Sequence, residues 1–406
     1  MIKGACYGNH QSFRIMKSEV RMGCGEEGPA VRILQVMLLG EAAQSWIRRC
    51  DPDLGAAAPD AWQRCVGQLG LMPATWLSNW LNPVGVTVDV LAVDDPSNRD
   101  AWSRQLGMDA VVGALIGPLV AAVARAQRPD VLAIDRDLVP LLGGQLSDAA
   151  KLVLAVTPGA ADGLLPAPVA LQLAIGGHYG ASILGAIGTP HVAVLASAPD
   201  ALFPGGVAPS PDRPRTVDVV CATTAGPATP RTIKVLSALA KAPMGLRGEF
   251  ELRLHLDSPD RDGLPIGLVM NDHGPAHGAA LAAAAAGAKI VVDLADGRSD
   301  AVRLNSIVIC AAAGATLVAE DGAVPRNLLT PGRDGATFAS PEALLDAVYW
   351  LLGNPELRLA MAQRAQAKFL AGDSTAGAWT SVKAALDLAL TAGLGAGPVI
   401  IRNPLP

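Results

Sequence analysis

The sequence predicts an α/β protein made of two halves, each a doubly wound parallel sheet. Three observations carry this expectation. Continuous apolar runs of strand length recur along the chain, helical segments alternate with them, and a stretch dense in Pro and Gly, Ser197–Thr216, separates the two series. Strands covered by helices on both faces read as unbroken runs of aliphatic residues, and ligands of such sheets sit beyond the carboxyl ends of the strands. Of 406 residues, 50% are hydrophobic and 17% charged, enough to bury a large core, with about two to three domains expected at this length. Five Phe and three Tyr make the core one of small aliphatic side chains.

The expected organisation is a flexible tail over 1–30 and a first Rossmann-like domain over 31–205. A second such domain over 206–372, a crossover helix over 373–395 and a tail over 396–406 complete it. Residues 1–30 lack the continuous apolar run of a secretory leader. In the first half, Val31–Leu39 reads as the opening strand, with Gly40 at the first strand-to-helix turn and no GxGxxG after it. Trp62, Trp76 and Trp80 follow at helical spacing, a core stripe or a platform for a sugar ring. Val86–Asp95, Arg128–Asp135, Ala150–Gly159 and Pro190–Ser197 read as further strands, and LQLAIGGHYGASILGAIG between the last two as helical. His178 lies in that segment, either a structural histidine or a general base near the cleft, since imidazole titrates close to working pH.

The second half opens with a strand, Val217–Ala222, a loop of small residues, and a helix starting near Thr229-Pro230 with Arg231 in its first turn. A helix amino terminus with free N–H groups and an adjacent guanidinium suits a pyrophosphate, while an arginine there also suits plain solvent. Phe250–Ser258, Ile266–Asp272, Lys289–Leu294, Ala315–Ala319 and Ala336–Ala339 read as strands. Asn305–Ala313, Pro341–Gly353, Pro355–Leu370 and Ala376–Leu394 read as helices. The carboxyl ends near Asp293 and Glu320 are therefore where chemistry belongs.

Several function classes are set aside. A net charge of −5 offers no general attraction to nucleic acid or an anionic membrane. The six cysteines show no CxxC spacing, so zinc and disulfide frameworks are not expected. His273 and His277 are four apart, but Gly274 and Pro275 between them oppose a regular helix, so no metal site is expected there. Ala110–Ala124 is shorter than the ~20 residues needed to span a bilayer, and Ala279–Val292 is broken by Gly287 and Lys289.

The pieces AAAGATLVAED and TPGRDGATFASPEALLDAV keep their order and spacing within about ninety residues, from Ala288 to Ser374. With PSNRDAWSRQLGMDA in the first half, where Asp94, Asp95, Trp102 and Gly107 stand in corresponding positions, the chain resembles GT-B glycosyltransferases over most of residues 31–375. The nearest resemblance is to the CgeB-like spore-maturation and polysaccharide group. It implies two Rossmann-like domains facing a cleft and a cytoplasmic bacterial transferase. A UDP-, GDP- or dTDP-sugar would serve as substrate, with no tightly bound cofactor and no metal. The acceptor would be a glycan, a lipid-linked molecule or a protein, with room for peripheral membrane contact.

Carried onto this sequence, the resemblance implies that Thr223, Thr224, Gly226 and Arg231 hold the diphosphate, and that Asn271 and Asp272, next to Met270, approach the nucleotide base. Asp293, Gly314, Glu320, Asp321 and Gly322 complete the donor side, and Asp334 stands for a family glutamate. The departures lie on the helix before Gly314, where Ser306 and Ile309 replace the family's Arg and Glu, and near Arg326, where an acid is usual. A chain that keeps this fold but binds without catalysis is the other reading they leave open.

Overall fold

The computed structural model describes residues 31–69, 71, 77–78, 86–109, 113, 115–142, 150, 152–157, 171–175, 191–195, 203, 207–223, 230–244, 249–256, 264–294, 300–321, 329–370 and 399–401. Within 31–406 lie two parallel sheets. The first sheet uses β1 (Arg32–Met37), β2 (Thr87–Ala92), β3 (Val131–Asp135), β4 (Leu152–Thr157), β5 (Leu171–Ile175), β6 (His191–Leu195) and β12 (Val399–Ile401), in the order β12-β6-β5-β4-β3-β1-β2. The second uses β7 (Val217–Thr223), β8 (Leu252–Leu256), β9 (Ala288–Asp293), β10 (Thr316–Glu320) and β11 (Gly335–Phe338), in the order β11-β10-β9-β7-β8.

Each sheet reverses its winding once. The chain goes from β1 outward to β2 and then returns to β3 on the other side of β1. It does the same from β7 to β8 and back to β9. Such reversals leave a crevice beyond the carboxyl ends of the two strands involved, because the connecting loops part in opposite directions. Topology alone therefore marks the end of β1 and β3 in one sheet, and of β7 and β9 in the other.

The helices follow from local chemistry. In the first half, α1 (Glu41–Cys50) and α2 (Pro59–Gln68) precede α3 (Pro96–Gln105), whose N-cap Asp95 accepts from Ser97 N and Asn98 N. Then come α4 (Ile116–Gln127) and the short α5 (Val139–Leu142). In the second half, α6 (Pro230–Lys241) begins with Pro, whose missing N–H costs nothing at a helix start, and buries Val235, Leu236 and Leu239. It is followed by α7 (Ile266–Met270), α8 (Gly278–Gly287), α9 (Asp300–Ala312), α10 (Pro341–Gly353) and α11 (Pro355–Leu370). Ser340 caps α10 through Ala343 N at 3.2 Å, and α8 is almost pure alanine, which lets it lie flat on its neighbours.

Two cores cover the second sheet: Ala282, Ala285, Ile309 and Ala311 lie in one, Leu236, Leu254, Phe338 and Leu351 in the other. The two halves touch through Trp46 of α1, edge-on to His277 at 5.7 Å between centroids, and through Ala279 N, which donates to Leu69 O at 3.1 Å. Trp62 is fully buried and takes the core role of the expected stripe, while Trp76 and Trp80 lie outside the described residues.

The structure corrects four expectations. Ile266–Met270 is a helical turn rather than a strand. Pro265 stands at its N-cap, and only Asp272 bridges onto β8, through Leu254. LQLAI, expected to be helical, is the interior strand β5, paired on both sides. The helix expected over Asn305–Ala313 starts earlier, at Asp300. Val399–Ile401, placed in a peripheral tail, adds a parallel strand to β6.

Candidate functional site

In the second sheet, the register sets Thr223, Asp293 and Glu320 at the carboxyl ends of three adjacent strands, β7, β9 and β10. All three are buried: Thr223 is 7% exposed, Asp293 5% and Glu320 4%. A buried carboxylate is kept only where partners hold it. Glu320 pairs with Arg231 in the first turn of α6, whose side chain is 65% exposed. The first turn of α6 thus sets a cation against the carboxyl end of β10. Asp321 is exposed, and its N–H donates to Phe338 O at 2.8 Å, extending the ladder to β11.

Asn271 and Asp272 are near this edge but serve the backbone. Asn271 Nδ2 donates to Gly267 O at 2.8 Å, tying the turn of α7. Asp272 Oδ1 accepts from Gly274 N at 2.8 Å and Leu256 N at 3.2 Å, fastening the following loop to the end of β8. His255, one residue before the end of β8, was not singled out from the sequence. Its Nδ1 lies 2.8 Å from Gly274 O, its ring faces His273 at 6.1 Å, and burial pushes its pKa below the ordinary value. Its position one residue from the carboxyl end of a strand in a parallel sheet was the available signal.

Gly314 is the correction at this site. It lies at the amino end of β10, on the opposite side of the sheet from Asp293 and Glu320, so it cannot line the carboxyl edge. Its glycine identity has a local cause: φ is +73°, and a Cβ would come within 2.8 Å of Arg215 Nη2 and 3.1 Å of Pro211 Cα. Asp334 is likewise engaged, 4% exposed and held by Lys368 Nζ at 3.2 Å. Ser306 and Ile309 are buried on α9, Ile309 within the core. Thr224, Gly226, Gly322, Arg326 and His178 lie outside the described residues.

In the first sheet the equivalent edge is acidic. Asp94 accepts from Leu39 N at 2.7 Å, Gly40 N at 2.8 Å and Gln44 Nε2 at 2.9 Å. The N–H groups at the first strand-to-helix turn, which a dinucleotide phosphate would use, are therefore filled by the protein's own carboxylate. Asp135, at the carboxyl end of β3, is 8% exposed, accepts from Asp137 N at 3.2 Å, and has its pKa pushed up to about 6. Burial is the main cause, opposed by hydrogen bonds from Asp137 and Leu38 and reinforced by the charges of Asp137 and Asp94. Sequence reading saw Asp135 only as a strand end, because its burial beside two other acids needs the fold. Asp95 and Trp102 turn out to hold the fold: Asp95 caps α3, and Trp102 Nε1 donates to Val90 O at 3.0 Å.

Among the described residues there is no cluster of His, Cys, Asp or Glu suited to a metal ion, and no helix long and apolar enough to cross a membrane. Cys50, Cys65, Cys221 and Cys310 are not joined in disulfides.

Residues 233–381 match a protein family described as glycosyl transferase-like. No curated protein sequence matches the chain. Among solved structures, sucrose-phosphate synthase from Thermosynechococcus elongatus superposes with a TM-score of 0.52 at 12% identity, covering 89% of this chain and 100% of that one. Anabaena HepE, in complex with UDP and glucose, gives 0.51 at 13% identity, covering 88% and 99%. The chain spans 58% of the length of the Staphylococcus aureus TarM structure it also matches, at 10% identity, 66% coverage of this chain and a TM-score of 0.49. At these identities the similarity speaks for the fold, two parallel-sheet α/β domains of GT-B type.

Proposed function

We propose that this GT-B protein, with a glycosyl transferase-like region over 233–381, is a glycosyltransferase using a nucleotide-activated sugar. The observation that carries the reading is the carboxyl edge of the second sheet. There Thr223, Asp293 and Glu320 lie on adjacent strands at a winding reversal and Arg231 pairs with Glu320. That HepE is described with UDP and glucose, on a chain covered almost end to end, supports a nucleotide-sugar as the donor.

In this reading the donor lies against the second sheet, with its diphosphate at Arg231 and the free N–H groups of α6. The acceptor enters from the first sheet. The bond between the anomeric carbon and the diphosphate breaks, its electron pair leaves on the diphosphate, and the acceptor oxygen bonds to the carbon. Arg231 stabilises the charge that develops on the leaving group without a metal. Asp135, with a pKa of about 6, is ionised at neutral pH and near enough to that pH to take the acceptor proton. His178 is the other candidate base. Closure of the cleft excludes water, which would otherwise hydrolyse the donor.

The finer placement is a CgeB-like transferase of polysaccharide assembly in the bacterial cytoplasm, using a UDP-, GDP- or dTDP-sugar and a glycan, lipid-linked or protein acceptor. A second reading, a binding protein on the same fold that has lost its donor site, draws on two observations. Arg231 is already neutralised by Glu320, and Ile309 is apolar and buried where the family carries an acid.

Calorimetric titration with UDP-, GDP-, dTDP- and CMP-sugars and the bare nucleotides tests the choice. Selective micromolar binding that weakens in Arg231→Ala, with turnover of the bound donor, supports the transferase. Binding without turnover favours the second reading, and a folded protein that binds none of them removes the donor site altogether.

A further inference from the structure

A second cleft, of 360 Å³, opens on the side of the second sheet away from the donor edge. It is lined by the amino ends of β9 and β10, by the segment leading into β7, and by the first turn of α11. β10 alone, five residues at ~3.3 Å each, puts about 16 Å between this cleft and Glu320. The volume falls in the range of small-molecule sites, roughly 300–1,000 Å³.

Its chemistry is cationic. Arg213, Arg215, Lys289 and Arg358 line it, against Asp212 and Glu356. Lys289 is matched by Asp218 at 2.6 Å, and Asp212 accepts from Ser210. Arg215 is fixed in place by carbonyls rather than carboxylates. Its Nη1 donates to Ala285, Ala286 and Ala288, and its Nη2 to Ala313, at 2.8–3.3 Å. Its charge therefore meets only dipoles, and Arg213 and Arg358 repel it, helping burial push its pKa down to about 10. The Arg213 side chain is exposed. Three guanidinium groups so converge on one cavity at the amino end of a sixteen-residue helix, whose first N–H groups have no partner within the helix.

We propose that this cleft is a binding site for a small soluble molecule bearing a phosphate or diphosphate group, separate from the donor site. The planar guanidinium forks of Arg213 and Arg358 match tetrahedral oxyanions, and Arg215, its donors spent on carbonyls, adds its charge, so that an oxyanion relieves the repulsion among the three arginines. Gly314 belongs to this site. Its bare Cα lets Arg215 and Pro211 close the floor of the cleft, which any side chain there would displace.

The test is calorimetric titration of the full chain with pyrophosphate at constant ionic strength held by potassium chloride. Arg213→Gln is the informative variant, since its side chain is exposed and its loss leaves the unfolding midpoint unchanged. Arg231→Ala is the control for the donor edge. Saturable binding weakened about fivefold or more in Arg213→Gln, and by less than about twofold in Arg231→Ala, is expected. Absence of saturable binding overturns the proposal. So does binding that ignores Arg213→Gln, or that falls as much or more in Arg231→Ala, which would assign the anion to the donor edge.

Discussion

Arg231 and Glu320 form an ion pair that joins the first turn of α6 to the carboxyl end of β10. The carboxylate is buried and the guanidinium mostly exposed, so the pair is not symmetrical. Removing Arg231 takes an opposite charge away from a buried carboxylate, whereas removing the charge of Glu320 frees a solvated cation. A diphosphate arriving at α6 must compete with Glu320 for Arg231.

Glu320→Gln should therefore tighten binding of UDP or the preferred nucleotide by about three- to tenfold, since the arginine no longer has an internal partner. Arg231→Ala should weaken it by a similar factor. Calorimetry on both variants checks this, and weaker binding in Glu320→Gln would mean that the carboxylate itself contacts the donor.

Gly314→Ala should cost about 2–4 kcal/mol, as a positive φ combines with a 2.8 Å approach to Arg215. Gly332 provides the comparison. Its φ is +78°, but nothing lies within 4 Å of a built Cβ, so Gly332→Ala should cost only about 1 kcal/mol. Urea unfolding of both variants separates backbone conformation from crowding.

Asp135 makes stability depend on pH. Its folded pKa of about 6 exceeds the ordinary 3.8, so the folded chain binds the proton more tightly than the unfolded chain does. The contribution is present below pH 3.8 and is lost as pH rises to about 6, by roughly 3 kcal/mol at most. Asp135→Asn should unfold at higher temperature than the parent at pH 7 and lose the parent's decline between pH 4 and 6. If Asp135 is also the base, that variant loses about 10²–10⁴-fold in turnover while keeping donor affinity.

Trp46→Ala removes the edge contact to His277 between the two halves. A loss of about 1 kcal/mol beyond the buried area is expected for an aromatic pair of this geometry. A double-mutant cycle with His277→Ala isolates that term, and a coupling near zero would show the two rings to be mere neighbours.

Most strands were legible because buried parallel strands leave long aliphatic runs, as in VRILQVM and AKIVVD. The misreadings fall on five-residue apolar words. IGLVM and LQLAI have the same apolar content, and what separates them is Pro265 at a helix start and the neighbours that flank β5. Site residues were legible as types at strand ends but not as partners. Nothing along the chain announces that Arg231 closes on Glu320, or that Asp272 spends its carboxylate on Gly274 and Leu256. Gly314 was conspicuous for a sound reason, yet a helix-to-strand turn looks alike whether it faces a ligand or an arginine.

The amide of Ala279 at the start of α8 is satisfied by Leu69, a carbonyl of the other half, and His277 supplies no side-chain cap. A helix that borrows its cap from the other half is a gauge of separation. Whenever the halves part, that amide loses its acceptor and the first turn of α8 frays. Deuterium uptake at Ala279 thus reports how often this contact between the halves breaks, and a ligand that holds the halves together should slow it.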